Sequence, residues 1–185
     1  MENNNSYVDL PAIIAGTSVA LAISVVLANF GAAIGLAITP DASWEQDSVV
    51  GKVITINLWV LWVQILSSLI GGYIAGRMRA PIAGSNLHER EMRDGVHGLS
   101  VWAVGTVLVA VGAALVAALA AADPNADANQ TAEILRMNEH VAIIVAFSVA
   151  AGALISALAS WWAATKGGEH RDEATDLSRY VSFRK

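Results

Sequence analysis

The residue types able to do chemistry are concentrated in one stretch. Between Arg77 and His97 lie four arginines (Arg77, Arg79, Arg90, Arg93), two histidines (His88, His97) and three carboxylates (Glu89, Glu91, Asp94). One chemistry they suggest is divalent-metal binding. His88, Glu91 and Asp94 follow one another at steps of three, with His97 three further on, roughly along one side of a helix. Imidazole with carboxylates suits zinc or a similar ion. The same residues also make an ordinary surface helix, with Glu89–Arg93 and Arg90–Asp94 pairs at i, i+4. Gly95 weakens a continuous helix, so the surface reading is preferred and no metal is expected. Arg77 and Arg79, with Arg93, Asp94 and His97, are then expected to contact anionic lipid headgroups or to close the loop on itself. If Asp94 pairs with Arg77 or Arg79, the pair is expected to be partly hydrated and weak.

This polar stretch is flanked by segments with no ionisable residue. Four such runs occur, at Ala12–Ile38, Val53–Gly76, Gly98–Ala122 and Val141–Thr165. Each exceeds the roughly 20 residues that cross a hydrocarbon core. Backbone groups in lipid must be bonded within the segment, so each run is expected to be a helix. The composition agrees: 55% of the 185 residues are hydrophobic and 15% charged, against about 25% charged in a soluble domain. The expected fold is all-α, a polytopic four-transmembrane-helix bundle over residues 1–166. Lys166-Gly167-Gly168 is read as closing the fourth helix, leaving 167–185 as a polar cytoplasmic tail.

Orientation follows from basic charge. Nine of the 11 lysines and arginines fall on the side of the Arg77–His97 loop and the two termini; Lys52 and Arg136 alone fall on the other. Short Lys/Arg-rich loops stay cytoplasmic, which puts both termini inside. His97 then lies inside and His140 outside, so they cannot pair across one plane. His170 follows two glycines in the tail, and a bis-histidine haem is not expected. With no cysteine in the chain, thiolate metal sites and thiol catalysis are excluded. No cofactor is expected. Charged groups within spans usually mark ion paths and proton relays, and their absence argues against a proton-coupled transporter and against an intramembrane protease.

Small residues pattern the spans. Helix one has Gly16, Ala20, Ser24, Ala28 and Ala32 at spacing four, with Gly31 and Gly35 beside them. Helix two ends in Ser68, Gly72 and Gly76, and helix three has Gly98, Gly105 and Gly112 seven apart. Small residues so spaced let helix backbones approach. Two amides, Asn29 and Gln64, lie nine and eleven residues from the outer ends of their spans. They differ in depth by less than one turn, so a hydrogen bond between them is expected. Trp59 and Trp62 lie deeper than an interfacial belt. They are read as packing or lipid-facing bulk, the sharper alternative being the wall of a groove for a lipid, quinone or pigment.

Gly72-Tyr73-Ile74-Ala75-Gly76-Arg77 together with Arg93-Asp94-Gly95-Val96-His97-Gly98-Leu99-Ser100-Val101-Trp102 resembles a group of small alphaproteobacterial inner-membrane proteins often labelled PhnA-like. The resemblance covers helix two to the start of helix three. It implies a four-helix protein of the bacterial inner membrane and implies no activity. The expected function is a non-enzymatic accessory or scaffold subunit of a larger membrane complex or homo-oligomer. Its expected partners are membrane lipids and other subunits or further copies, and not nucleic acid. Helix one, then helix three, is expected to border that partner. The alternative is a small channel or carrier for a neutral or lipid-like solute.

Overall fold

The structure, a computed structural model, describes residues 7–33, 46–81, 84–122 and 139–173. Among them it is all-helical, with α1 at Leu10–Gly31, α2 at Gln46–Met78, α3 at Leu87–Ala121 and α4 at Glu139–Asp172. All four helices are long and apolar enough to cross a membrane, over Leu10–Gly31, Ile54–Met78, Leu87–Leu119 and Ala146–Asp172.

The helix ends depart from the apolar runs, each for a local reason. α1 starts at Leu10 because Asp9 caps it, its Oδ1 accepting from the Ala12 N–H at 3.3 Å, with Pro11 in the first turn. The part of the first run beyond residue 33, including Gly35, lies outside the described residues. α2 begins at Gln46 rather than Val53 and carries Asp47 and Lys52 as helix; charge limits a span, but it does not end a helix. α3 begins at Leu87 rather than Gly98, so much of the expected loop is helical. Asn86 caps it, Oδ1 accepting from the Glu89 N–H at 2.8 Å, after Gly84 turns the chain at φ +83°. α4 does not close at Lys166 but runs on through Gly167 and Gly168 to Asp172.

These two glycines serve close approach instead of termination. A Cβ at Gly167 would lie 2.9 Å from the Arg77 backbone nitrogen, and one at Gly168 would run into the Asp94 carboxylate. The tail boundary after residue 166 therefore gives way to six further helical residues, 167–172.

Among the described residues, α2 touches all three other helices, α3 likewise, and α1 and α4 do not touch each other. The α2–α3 pair is thus flanked by α1 on one side and α4 on the other. Backbone meets backbone at its seams. A Cβ on Gly71 would lie 2.7 Å from the Gly16 carbonyl oxygen and 2.8 Å from the Ala20 Cβ. Gly72 abuts Ser160, Gly76 abuts the Ala164 backbone, and Gly98 lies against both Ser160 and Ala164. The Ser160 hydroxyl donates to the Gly98 carbonyl at 2.7 Å. In lipid, such close packing and interhelical hydrogen bonds replace the hydrophobic effect as the source of association.

The small-residue rows are used unevenly. Gly16 and Ala20 of α1 pack inside the chain against α2, and Gly31 lies against Trp59, so this part of the row does not form an outward face. Ser24 bonds the Ala20 carbonyl of its own helix at 2.9 Å, and Ala28 is exposed. On α3 the row changes character along its length. Gly98 is buried, whereas a Cβ added at Gly105 or Gly112 would meet no described atom within 4 Å. From residue 106 to 119 every residue of α3 is exposed. Among the described residues α3 is therefore packed tightly at its charged end and exposed from residue 106 to 119.

Replacing Gly76 or Gly98 by Leu should therefore force α2 or α3 away from α4, at a cost of about 1–3 kcal/mol or more. Gly105→Leu and Gly112→Leu should leave the isolated chain's stability unchanged. Denaturant titration in mixed micelles measures the difference.

Candidate functional site

The charged end of the bundle is where the expected surface helix proves to be interior. Arg79, Arg93 and His97 are each 1% exposed and Asp94 2%. At that burial these four do not face headgroups; the expected pairing of Asp94 with Arg79 does form, but dry instead of partly hydrated. Isolated charge at such burial would be prohibitively costly, so the ions need partners, and Arg79 and Asp94 find each other.

Asp94, on α3, is the shared anion. It forms a salt bridge with Arg79 just beyond the end of α2. It also accepts from Arg171 of α4, Nη1 to Oδ1 at 3.2 Å and Nη2 to Oδ2 at 3.3 Å. One carboxylate thus ties three helices together. Arg171 does more: its Nη1 donates to the Gly76 carbonyl at 2.7 Å and the Arg79 carbonyl at 3.1 Å. These oxygens lie at the C-terminal end of α2, where helix carbonyls lack partners and the dipole favours a cation. Asp172 carries the chain of charges onward, accepting from Arg171 Nε at 2.8 Å and facing Arg90 Nη1 at 3.5 Å. Arg90 is fixed on its other side by Ser85, with Nη2 to the carbonyl at 3.0 Å. The order Arg79–Asp94–Arg171–Asp172–Arg90 alternates in sign and links α2, α3 and α4.

A second group of contacts secures the start of α1. Asp9 Oδ2 accepts from the Ala80 N–H at 3.0 Å, and the Asp9 N–H donates to His97 Nε2 at 2.8 Å. His97 Nδ1 meets the Arg93 carbonyl at 2.7 Å. Arg93 donates from Nη2 to the Tyr7 carbonyl at 2.9 Å, with its guanidinium carbon 4.5 Å from the Tyr7 ring centroid, a cation–π contact.

These bonds settle where the expected site residues go. Arg79 and Arg93 do not lie along the surface; each turns inward to a different helix or segment. Arg77 is half-buried at the end of α2. The metal alternative loses Asp94 to two guanidiniums and His97 to Asp9. Among the described residues no three His, Asp or Glu side chains form a ligand group. His170 is held by Tyr73, ring nitrogen to hydroxyl at 3.1 Å.

The predicted Asn29–Gln64 bond does not form. Asn29 Nδ2 donates to the Val25 carbonyl of its own helix at 2.8 Å on an exposed face. Gln64 instead faces α4, where a Cβ at Gly152 would lie 3.2 Å from its Oε1. Trp59 is engaged across helices, donating to the Leu27 carbonyl at 3.2 Å, while Trp62 is exposed.

A shallow groove of about 540 Å³ opens beside the cluster between α3 and α4, with Leu87, Met92 and Trp161 among its apolar walls and Arg90, Glu91 and Lys166 at its rim. Lys166 is paired with Glu169 at the surface. Trp161 lies against Gly95, where a Cβ would come within 2.6 Å of its ring, so Gly95 marks a close approach and α3 continues through it.

Sequence reasoning does not find Asp9, Arg171 or Asp172. Asp9 carries a readable signal, an Asp two residues before Pro11 at the head of an apolar run. Arg171 carries none, since Gly167-Gly168 reads as a helix stop.

What fold and site define, over the described residues, is an all-helical protein with four helices of membrane-crossing length and an ionic clamp at one end. No family model, curated protein or solved structure matches the chain.

Asp94→Asn leaves the buried Arg79 guanidinium without its carboxylate, while Arg171 keeps Asp172, and should cost about 3–5 kcal/mol. Lys166→Ala, which removes an exposed pair, should leave the unfolding midpoint in place. Unfolding in mixed micelles measures both.

Proposed function

We propose that the protein is a non-enzymatic, integral membrane subunit that associates laterally with another polypeptide through the outer half of α3. The observation that carries this reading is the exposure of every α3 residue from 106 to 119. The segment is apolar on all sides, with Val107, Leu108, Val111, Leu115, Val116 and Leu119 each about half or more exposed. It also holds Gly112, and Gly105 immediately precedes it, neither with a neighbour against its Cβ position among the described residues. Glycine gains little from lipid but permits close approach of a second helix. The clamp holds the inner ends of the helices fixed, so that this segment is presented from a rigid base.

The membrane is the bacterial inner membrane, with both termini in the cytoplasm. The nine basic residues on one side against two on the other support that orientation, and the resemblance to small inner-membrane proteins supports the location. The partner is a second copy of the chain or a subunit of a larger complex. The competing reading is a channel or carrier for a neutral or lipid-like solute.

The chain has no cysteine, so a single Val109→Cys or Val116→Cys introduces a unique cross-linking site. In native membranes these variants should give a discrete adduct, of twice the chain's mass for self-association or of another mass for a different subunit. Cysteine at Val25 of α1 should give less. If neither α3 variant forms an adduct and the purified protein is monomeric, the subunit reading fails; solute flux into liposomes would then favour the carrier. Reporter fusions after residue 185 and between residues 39 and 45 should report opposite sides of the membrane.

A further inference from the structure

The contacts around His97 fix its protonation state by geometry. A backbone N–H can only donate, so the Asp9 amide at 2.8 Å requires a lone pair on Nε2. A backbone carbonyl can only accept, so the Arg93 oxygen at 2.7 Å requires a proton on Nδ1. Both ring nitrogens are thereby assigned, and the imidazole is the neutral Nδ1–H tautomer.

We propose that His97 is an acid-sensitive latch that holds the segment before α1 against the base of α2 and α3 and releases it on protonation. A proton added at Nε2 would set two donors head to head, N–H against the Asp9 N–H, and that bond must break. The imidazolium would stand among groups contributed by every neighbouring element. From the segment before α1 this is the Asp9 carboxylate; beyond the end of α2, Arg79; on α3 itself, Asp94 and Arg93, whose guanidinium carries the Tyr7 ring. From α4, Arg171 reaches the same Asp94. Asp94 is already shared by two guanidiniums and cannot turn to the ring without abandoning them. The Asp9 carboxylate holds the Ala80 and Ala12 amides, so turning it toward the imidazolium would undo those bonds. Either response loosens the same segment. Its release also removes the Tyr7 carbonyl and ring from Arg93. The latch is thus a device with two arrangements, biased by one proton, at the charged end of the bundle.

The test uses the full-length chain in lipid nanodiscs. Nitrogen-15 histidine spectra at about pH 7.5 should show His97 protonated on Nδ1 and bare on Nε2; a ring carrying its proton on Nε2 would overturn the proposal. Hydrogen exchange of the peptide spanning Tyr7 to Ile13, corrected for intrinsic rate, should show protection falling about tenfold between pH 7.5 and pH 5. Unchanged protection would contradict the latch. His97→Gln offers an acceptor near the Nε2 position that does not titrate, and its protection should stay level across that range. If His97→Gln folds and loses protection as the natural chain does, the sensor is another group and the proposal fails. The histidine spectra stand on the natural chain and decide the tautomer even where the variant does not fold.

Discussion

Three guanidiniums and one carboxylate drawn into one end of an apolar bundle set the terms for the rest of the structure. Removing charge from water costs several kcal/mol per ion even after relaxation. Asp94 recovers part of that cost only because Arg79 and Arg171 approach it from different helices. That requirement brings the end of α2 against α4, and it explains why α4 carries glycine at 167 and 168, where any side chain would displace Asp94 or the α2 backbone. Breaking such a group by removing one partner is far more damaging than replacing the whole by apolar residues. The arrangement therefore contributes register and connectivity more than raw stability. It specifies which helix ends meet and at what height.

Above the clamp the physics changes. Placed in lipid, as proposed, helices gain nothing from hiding apolar surface from one another and are held only by small residues and hydrogen bonds. The contacts Gly16–Gly71, Gly72–Ser160, Gly76–Ala164 and Gly98–Ser160 all lie toward the charged end. Trp102 adds an indole N–H to the Ser156 hydroxyl at 3.1 Å. Past Gly105, α3 makes no such glycine contact with the described residues, although its composition is as rich in small residues as before. The close packing of α3 near Gly98 and its exposure beyond Gly105 follow from where these groups fall along the chain.

The four helices are legible in sequence because apolar length is a one-dimensional property. The clamp is not, because it depends on rotation and on contacts far apart in the chain. Arg79 is legible as a partner for Asp94, but Arg93 and Asp94 also fit an i, i+4 surface pattern, and their further partners lie far off at Tyr7 and Arg171. The Asn29–Gln64 bond is absent for the same reason: equal depth says nothing about which way an amide faces, and Gln64 faces α4. Gly167-Gly168 and Gly95 read as helix breakers in one dimension, whereas in a tight bundle a glycine marks where a neighbour comes close. Two local signals are readable in principle although the apolar runs overshadow them: Asp9 ahead of Pro11, and Asn86 three residues before Glu89, both of the type that caps helices.

The central claim is that Asp94 couples α3 energetically to α4 through Arg171, and a double-mutant cycle tests it most directly. Unfolding free energies of the natural chain, Asp94→Leu, Arg171→Met and the double variant are compared in the same mixed micelles. Residues sharing one ionic network should show a coupling of about 0.5–3 kcal/mol, the double variant being less damaged than the two single effects predict together. Strict additivity would contradict the account, because it would mean the carboxylate and the guanidinium stabilise the fold independently.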